Sequence, residues 1–269
     1  MTQPPPPLPH AAELLRVHRF MAGFHRRRAA RTLDFPGGFV ALDDAYAHSR
    51  GDNHAMVTGP TDPEALPGRL DALLGHLPHR LAYVLDEELA GACRGPLEAA
   101  GYTTGSTYVM RHTGPVPADG GAREVGLDAL RAPVAASWRD LLPEVSAEVV
   151  DHLVERRAAR LRAGDVRFLA SYTEGTEGEE GAEGGEPAAW ADLYLDREEG
   201  IGQVEDLVAS REHRGKGHAG RVLDTALRLA AEAGCGLRFL TAHTADWPHE
   251  WYRRRGFTAI GTVHVFERA

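Results

Sequence analysis

Residues 211–220 read REHRGKGHAG and pose the chemical question of this chain. Gly215 and Gly217 alternate with two cations, Arg214 and Lys216, just before a stretch of helical periodicity. Glycines at such a point let backbone N–H groups converge on an anion at a helix N-terminus, where the macrodipole also favours negative charge. The pocket formed by Arg214, Gly215, Lys216 and Gly217 suits a pyrophosphate whose carrier runs back along the preceding strand. Lys216 is the only lysine in the chain.

GKGHAG also fits G-x-G-x-x-G, the dinucleotide fingerprint, but its context does not. A dinucleotide turn needs its first glycine directly after a buried strand. Here GQVEDLVA ends near Ala209, and five polar or charged positions, Ser210 to Arg214, precede Gly215. The next strand, GLRFLTAH, offers no acidic residue for a ribose before Asp246, and fewer than sixty residues follow the loop. A P-loop is excluded because no Ser or Thr follows Lys216. An NAD-dependent oxidoreductase is therefore disfavoured.

The elements that must position this loop follow from periodicity. HAGRVLDTALRLAAEAG is an amphipathic helix with Leu223, Ala226, Leu227 and Ala230 on one face, and Gly234 is its natural stop. VRFLASY, AAWADLYLD, GQVEDLVAS, GLRFLTAH and FTAIGTVHVFER read as strands, and DWPHEWYRRRG reads as a helix. The first half shows the same order. A helix, AAELLRVHRFMAGFHRRRAAR, leads into strands GGFVALDD and NHAMVTG, helix PEALPGRLDALLGHL, strand HRLAYVLD, helix EELAGACRGPLEAAG and strand YTTGSTYVMRH. The basic helix end, His25 to Arg31, reads as a solvated terminus carrying favourable charge. EAAGYTTGSTYVMR (98–111) aligns with RRRGFTAIGTVHVFER (253–268), which indicates a degenerate internal duplication. The expected divisions are a disordered Pro-rich tail over 1–10, one unit over 11–118 and a second over 119–269. The acidic Gly/Glu-rich connection 174–187 is expected to be a mobile hairpin loop that buries nothing.

Composition narrows the functions. A net charge of −9 argues against nucleic-acid binding, which needs a basic face. The two cysteines, Cys93 and Cys235, lie far apart, so neither a disulfide framework nor a metal site is expected and a reducing cytoplasm fits. The N-terminus lacks the apolar region of a signal peptide, and no apolar run reaches the ~20 residues of a membrane span.

VEDLVASREHRGKGHAGRVL resembles the acetyl-CoA signature of the GNAT superfamily of N-acetyltransferases, a strand, then [RQ]-x-x-G-x-[GA], then a helix. Arg214, Gly217 and Ala219 occupy its three fixed positions. ADWPHEWYRRRGF resembles a later motif of that family, with Tyr252 four residues before Gly256 and Phe257. The resemblance covers roughly 123–269. It implies an α/β (α+β) fold of two GNAT-like domains, each a mixed, mostly antiparallel sheet flanked by helices. The first domain is degenerate: Leu97 stands where Tyr252 is matched, and GPTDPEAL stands where a phosphate loop would lie. Many family members carry an asparagine where this chain has Asp246, which reads here as an N-cap.

The resemblance implies acetyl transfer from acetyl-CoA, without a metal, to the primary amine of a small molecule or peptide. It places Leu207, Val208 and Ala209 along the pantetheine arm and Arg214 to Ala219 around the pyrophosphate. The N–H near Val208 or Ala209 serves the oxyanion. Tyr252 is the candidate general acid for the departing thiolate. Glu205 leads as general base, with Asp206, His243 and a water relay as alternatives. Strict strand alternation puts Gln203, Glu205, Leu207 and Ala209 on one face, and Val204, Asp206 and Val208 on the other. Trp190, Trp247 and Trp251 lie on elements near the expected acceptor cleft. A non-catalytic acyl-CoA-binding or sensing protein is the alternative reading, and a homodimer is left open.

Overall fold

The computed structural model describes residues 10–174 and 185–269. All but the last residue of the Pro-rich tail, and residues 175–184 of the acidic connection, fall outside it. The expectations of a disordered tail and a mobile loop therefore lie outside the described residues.

Among the described residues, eleven strands form one sheet in the order β1-β2-β3-β4-β11-β5-β10-β9-β8-β7-β6. The first half contributes β1 (Arg31–Phe35), β2 (Gly38–Leu42), β3 (His54–Val57), β4 (Arg80–Val84) and β5 (Thr103–His112). The second contributes β6 (Arg123–Val125), β7 (Asp165–Tyr172), β8 (Pro187–Asp196), β9 (Ile201–Ala209), β10 (Leu237–His243) and β11 (Phe257–Arg268). In each half, antiparallel strands lead into one parallel pair joined by a helix: β3 and β4 through α2 (Leu66–Leu74), β9 and β10 through α7 (His218–Glu232). A parallel step needs such a crossover, so these helices follow from the pairing.

The duplicated segments found in the sequence are β5 and β11, and the two halves exchange them. β5 lies between β10 and β11, while β11 lies between β4 and β5. All three contacts are antiparallel, and β5 and β11 pair from Phe257↔His112 to Glu267↔Thr103. Each half thus closes its sheet with the last strand of the other.

Helices cover both faces. α7 and α8 (Pro248–Arg254) pack one core with Val222, Leu223, Tyr252 and Leu240. α2 and α3 (Glu87–Ala99) pack another around Leu66, Leu70, Leu97 and Phe266. On the opposite face α1 (Ala11–Arg28) sets Val17, Phe20 and Phe24 against Phe39 and Met56 of the first half and Tyr194 and Phe239 of the second. α4 (Leu127–Leu141) and α5 (Ala147–Glu155) cover Phe168 and Trp190. A four-residue helix, α6 (Arg157–Arg160), follows.

Two local readings need correction. α1 ends at Arg28, and β1 begins at Arg31 within the stretch expected to be helical. Pro36–Gly37 closes a β1–β2 hairpin, with Gly37 at φ 89°, and the strand's polar, edge-like composition hid it. Asp246 precedes the N-cap of α8, which is Trp247, and its Oδ1 accepts from Trp247 N at 2.8 Å.

Candidate active site

β9 and β10 pair only from Ile201↔Leu237 to Val204↔Leu240. Beyond Val204, β9 stays with β8 as far as Ala209, while β10 stays with β5 as far as His243. The two parallel strands therefore part at Glu205 and open a cleft edged by unpaired backbone of β9.

A bulge governs what faces this cleft. Trp190 pairs with Val208 and Asp192 with Glu205, so β9 takes three steps where β8 takes two. Asp206 sits in the bulge at φ 49°, the only described non-glycine residue with positive φ. Asx side chains tolerate that region better than most. The extra residue resets the alternation. Leu207 and Ala209 pack on the α7 core, whereas Val208 packs with Trp190 on the α4 and α5 side. Glu205 lies opposite Asp192 and shares that residue's face. The strict alternation is thus overturned: Glu205 does not share a face with Leu207 and Ala209, and Asp206 reaches the same polar cluster as Glu205.

That cluster was not foreseen. Arg160 and Arg157, both almost fully buried, bracket Asp192, which is 0% exposed. Arg160 pairs with Asp192 Oδ2, and Arg157 Nη1 lies 3.2 Å from Asp192 Oδ1. Asp206 Oδ2 receives Arg160 Nη2 at 2.7 Å, with Arg157 at 3.5 Å and Arg156 at 3.6 Å. A carboxylate in the middle of the apolar strand AAWADLYL, and four arginines in VERRAARLR of which Arg156, Arg157 and Arg160 reach the cluster, were the available signals. A buried charge needs a partner.

Burial above all, then the neighbouring Asp206 carboxylate, pushes the Glu205 carboxyl up to about 7, with Arg160 and the Gln203 hydrogen bond pulling the other way. Burial alone would raise Asp206, but Arg160, Arg156 and Arg157 hold it well below the usual carboxylate range. Glu205 is thus poised to accept a proton near neutrality, while Asp206 stays ionised. Gln203 Nε2 donates to Glu205 Oε2 at 2.5 Å.

Tyr252 comes to the cleft from α8, buried against Phe257 and Trp251 at ring distances of 5.7 and 5.1 Å. Burial, then the Glu205 charge, raises its hydroxyl above the ordinary phenol range, so it stays protonated and able to donate.

The loop follows β9. Gly215 and Gly217 stand at φ 77° and 86°, and a Cβ at either would meet nothing within 4 Å. They are needed for backbone conformation, not for space. Gly217 caps α7 with no side-chain hydrogen bond to the helix, which leaves the first-turn N–H groups available. Arg214 and Lys216 are exposed. His218 is buried, its Nδ1 2.9 Å from Ser171 Oγ, and its backbone N–H lies at the start of α7. The corresponding loop of the first half runs from Val57 to Leu66.

The remaining candidates scatter. His243 is exposed at the end of β10. Trp190 is a core residue at 1% exposure, Trp247 is exposed, and Trp251 packs beside Tyr252.

Residues 144–257 match the model of the acetyltransferase (GNAT) family. No curated protein matches the chain in sequence. Among solved structures, a GCN5-related N-acetyltransferase from Kribbella flavida superposes with a TM-score of 0.60 at 18% identity, covering 95% of this chain and 96% of that one. A conserved protein of unknown function from Staphylococcus epidermidis gives 0.62 at 10% identity, covering 88% and 92%. A tandem GNAT protein from the clavulanic acid biosynthesis pathway gives 0.50 at 14% identity, covering 96% and 95%. At these identities the likeness is one of fold. The chain therefore carries a GNAT acetyltransferase-family domain over residues 144–257, within a fold of two GNAT-like domains.

Proposed function

We propose that this protein is an acetyl-CoA-dependent N-acetyltransferase that acts on a primary amine of a small molecule or peptide. The observation that carries this reading is the parting of β9 and β10 at Glu205, beside the glycine-turned start of α7 and with Tyr252 in the field of the Glu205 carboxylate. The residues fit the coenzyme. Left-handed glycines without neighbouring obstacles, an uncapped helix start and two exposed cations suit a pyrophosphate. The unpaired edge of β9 at Leu207, Val208 and Ala209 suits an extended amide-bearing arm and an oxyanion.

Glu205 takes a proton from the acceptor ammonium, directly or through water, which frees the nitrogen lone pair. The nitrogen bonds to the thioester carbon, and the backbone N–H groups at Val208 or Ala209 meet the charge on oxygen. The carbon–sulfur bond breaks as Tyr252 gives its proton to the departing thiolate, and the nitrogen sheds its second proton to the Tyr252 phenolate, directly or through water, leaving a neutral amide.

Thiol release from acetyl-CoA across a panel of amines tests the proposal. Turnover on at least one amine is expected. Coenzyme A binding without turnover on any amine would instead favour an acyl-CoA sensor. The two buried, unpaired cysteines suit a reducing compartment, and no described helix is long and apolar enough to cross a membrane.

A further inference from the structure

The bulge that separates Glu205 from Leu207 depends on a non-glycine residue in a left-handed conformation, so something must hold it there. We propose that Arg160 is a positioning residue whose forked guanidinium ties Asp192 of β8 to Asp206 of β9 across the bulge, and that the first half of the chain secures this tie through Asp52 and Arg156.

The geometry supports each link. The two arms of Arg160 reach different strands, Nη1 to Asp192 Oδ2 and Nη2 to Asp206 Oδ2 at 2.7 Å. A planar fork holds both carboxylates in one fixed geometry, whereas a lysine offers a compact charge with rotatable donors on a flexible stem. Arg157 repeats the bridge more loosely, at 3.2 Å to Asp192 and 3.5 Å to Asp206. Arg156 then carries the network into the other half. Its Nη2 lies 3.6 Å from Asp206 and its Nη1 3.5 Å from Asp52. Asp52 is itself fixed by Ser49 Oγ at 2.5 Å and by Arg28 Nε at 3.7 Å. An unbroken chain of charge pairs therefore runs from α1 and the loop before β3 to the bulge. It assigns a task to a half whose own loop, GPTDPEAL, has no cation. With the tie cut, Asp206 can relax toward extended backbone, and the strand loses the offset that gives Glu205 and the Leu207–Ala209 edge their separate faces.

This inference rests on Glu205 as the base of the proposed reaction. The groups that face Glu205 are Gln203 and Asp206 on β9, Asp192 and Tyr194 on β8, Arg160 on α6, Tyr83 on β4 and Tyr252 on α8. Two variants at the tie change this charge set in opposite senses. Arg160→Met removes a cation, whereas Asp206→Asn removes an anion and keeps a side chain that tolerates the left-handed backbone.

The test is the pH dependence of kcat/KM for wild type, Arg160→Met, Arg160→Lys, Asp206→Asn and Glu205→Gln, with melting temperature and coenzyme A affinity measured alongside. The acid limb is expected to move up in Arg160→Met and down in Asp206→Asn, each by about half a pH unit or more. Arg160→Lys is expected to restore the limb but not kcat. Opposite shifts cannot come from general loosening. Shifts in one direction, or none, overturn the proposal when Glu205→Gln abolishes the wild-type limb. If Arg160→Met does not fold, a limb in Asp206→Asn that stays in place overturns it. If Glu205→Gln keeps the limb, the base assignment fails separately. The tie is then judged on Arg160→Lys: lost kcat at unchanged melting temperature and coenzyme A affinity sustains it, and wild-type kcat overturns it.

Discussion

Gln203 Nε2 donates to Glu205 Oε2 at 2.5 Å, which fixes one orientation of the carboxylate where β9 leaves β10. This bond favours the ionised form, and burial opposes it more strongly. Activity is therefore expected to rise with pH through about 7 and then level off. Glu205→Gln is expected to lower kcat by about 10²-fold or more and to abolish that limb. A pH–rate profile of both proteins checks this, and an unchanged limb would reassign the base.

The same carboxylate has a stability consequence. The Glu205 pKa is raised on folding, so the folded state holds its proton more tightly than the unfolded state. Its contribution favours folding at low pH and is lost as pH rises from the ordinary carboxylate range through about 7. Glu205→Gln is expected to raise the melting temperature more at pH 8 than at pH 5, measured by thermal denaturation at both.

Tyr252→Phe removes the proposed proton donor but keeps the ring packed against Phe257. The expected result is a kcat lower by roughly 10- to 100-fold, with KM for acetyl-CoA little changed. Unchanged turnover would return Tyr252 to a packing role.

Gly217→Ala puts a side chain at φ 86° where nothing crowds it, so the cost is one of backbone strain alone. At roughly 1–2 kcal/mol this predicts coenzyme A binding about tenfold weaker or more by calorimetry. Arg214→Ala and Lys216→Ala are expected to weaken it as well, with a smaller dependence on salt than wild type.

Trp190 makes no claim on the acceptor, because it fills the core between β8 and α4. Trp190→Ala is expected to destabilise the protein by about 3–5 kcal/mol, read as a fall in the denaturation midpoint. Coenzyme A affinity at low temperature should persist.

Strand exchange predicts that residues 119–269 do not fold alone. Without β5, β10 and β11 lose their shared neighbour and expose two hydrogen-bonding edges. A sharp cooperative melting transition for that fragment would contradict this.

Local patterns sufficed for most of the elements and for the glycine turn before α7. Helical and alternating periodicity, the glycines at 215 and 217 and the repeated segments at β5 and β11 are properties of neighbouring residues, so they are written in the order of the chain. β1 was hidden because an edge strand with a polar face carries little periodic signal. Three things needed the tertiary structure. The bulge at Asp206 depends on β8 spending two residues against three of β9, a count no single strand contains. The ion cluster joins Asp52, Arg156, Arg160, Asp192 and Asp206, which only folding brings within reach of one another. The exchange of β5 and β11 is a choice of partner between two similar strands. That choice rests on how the whole sheet closes, because the hydrogen-bonding groups of the two strands are alike.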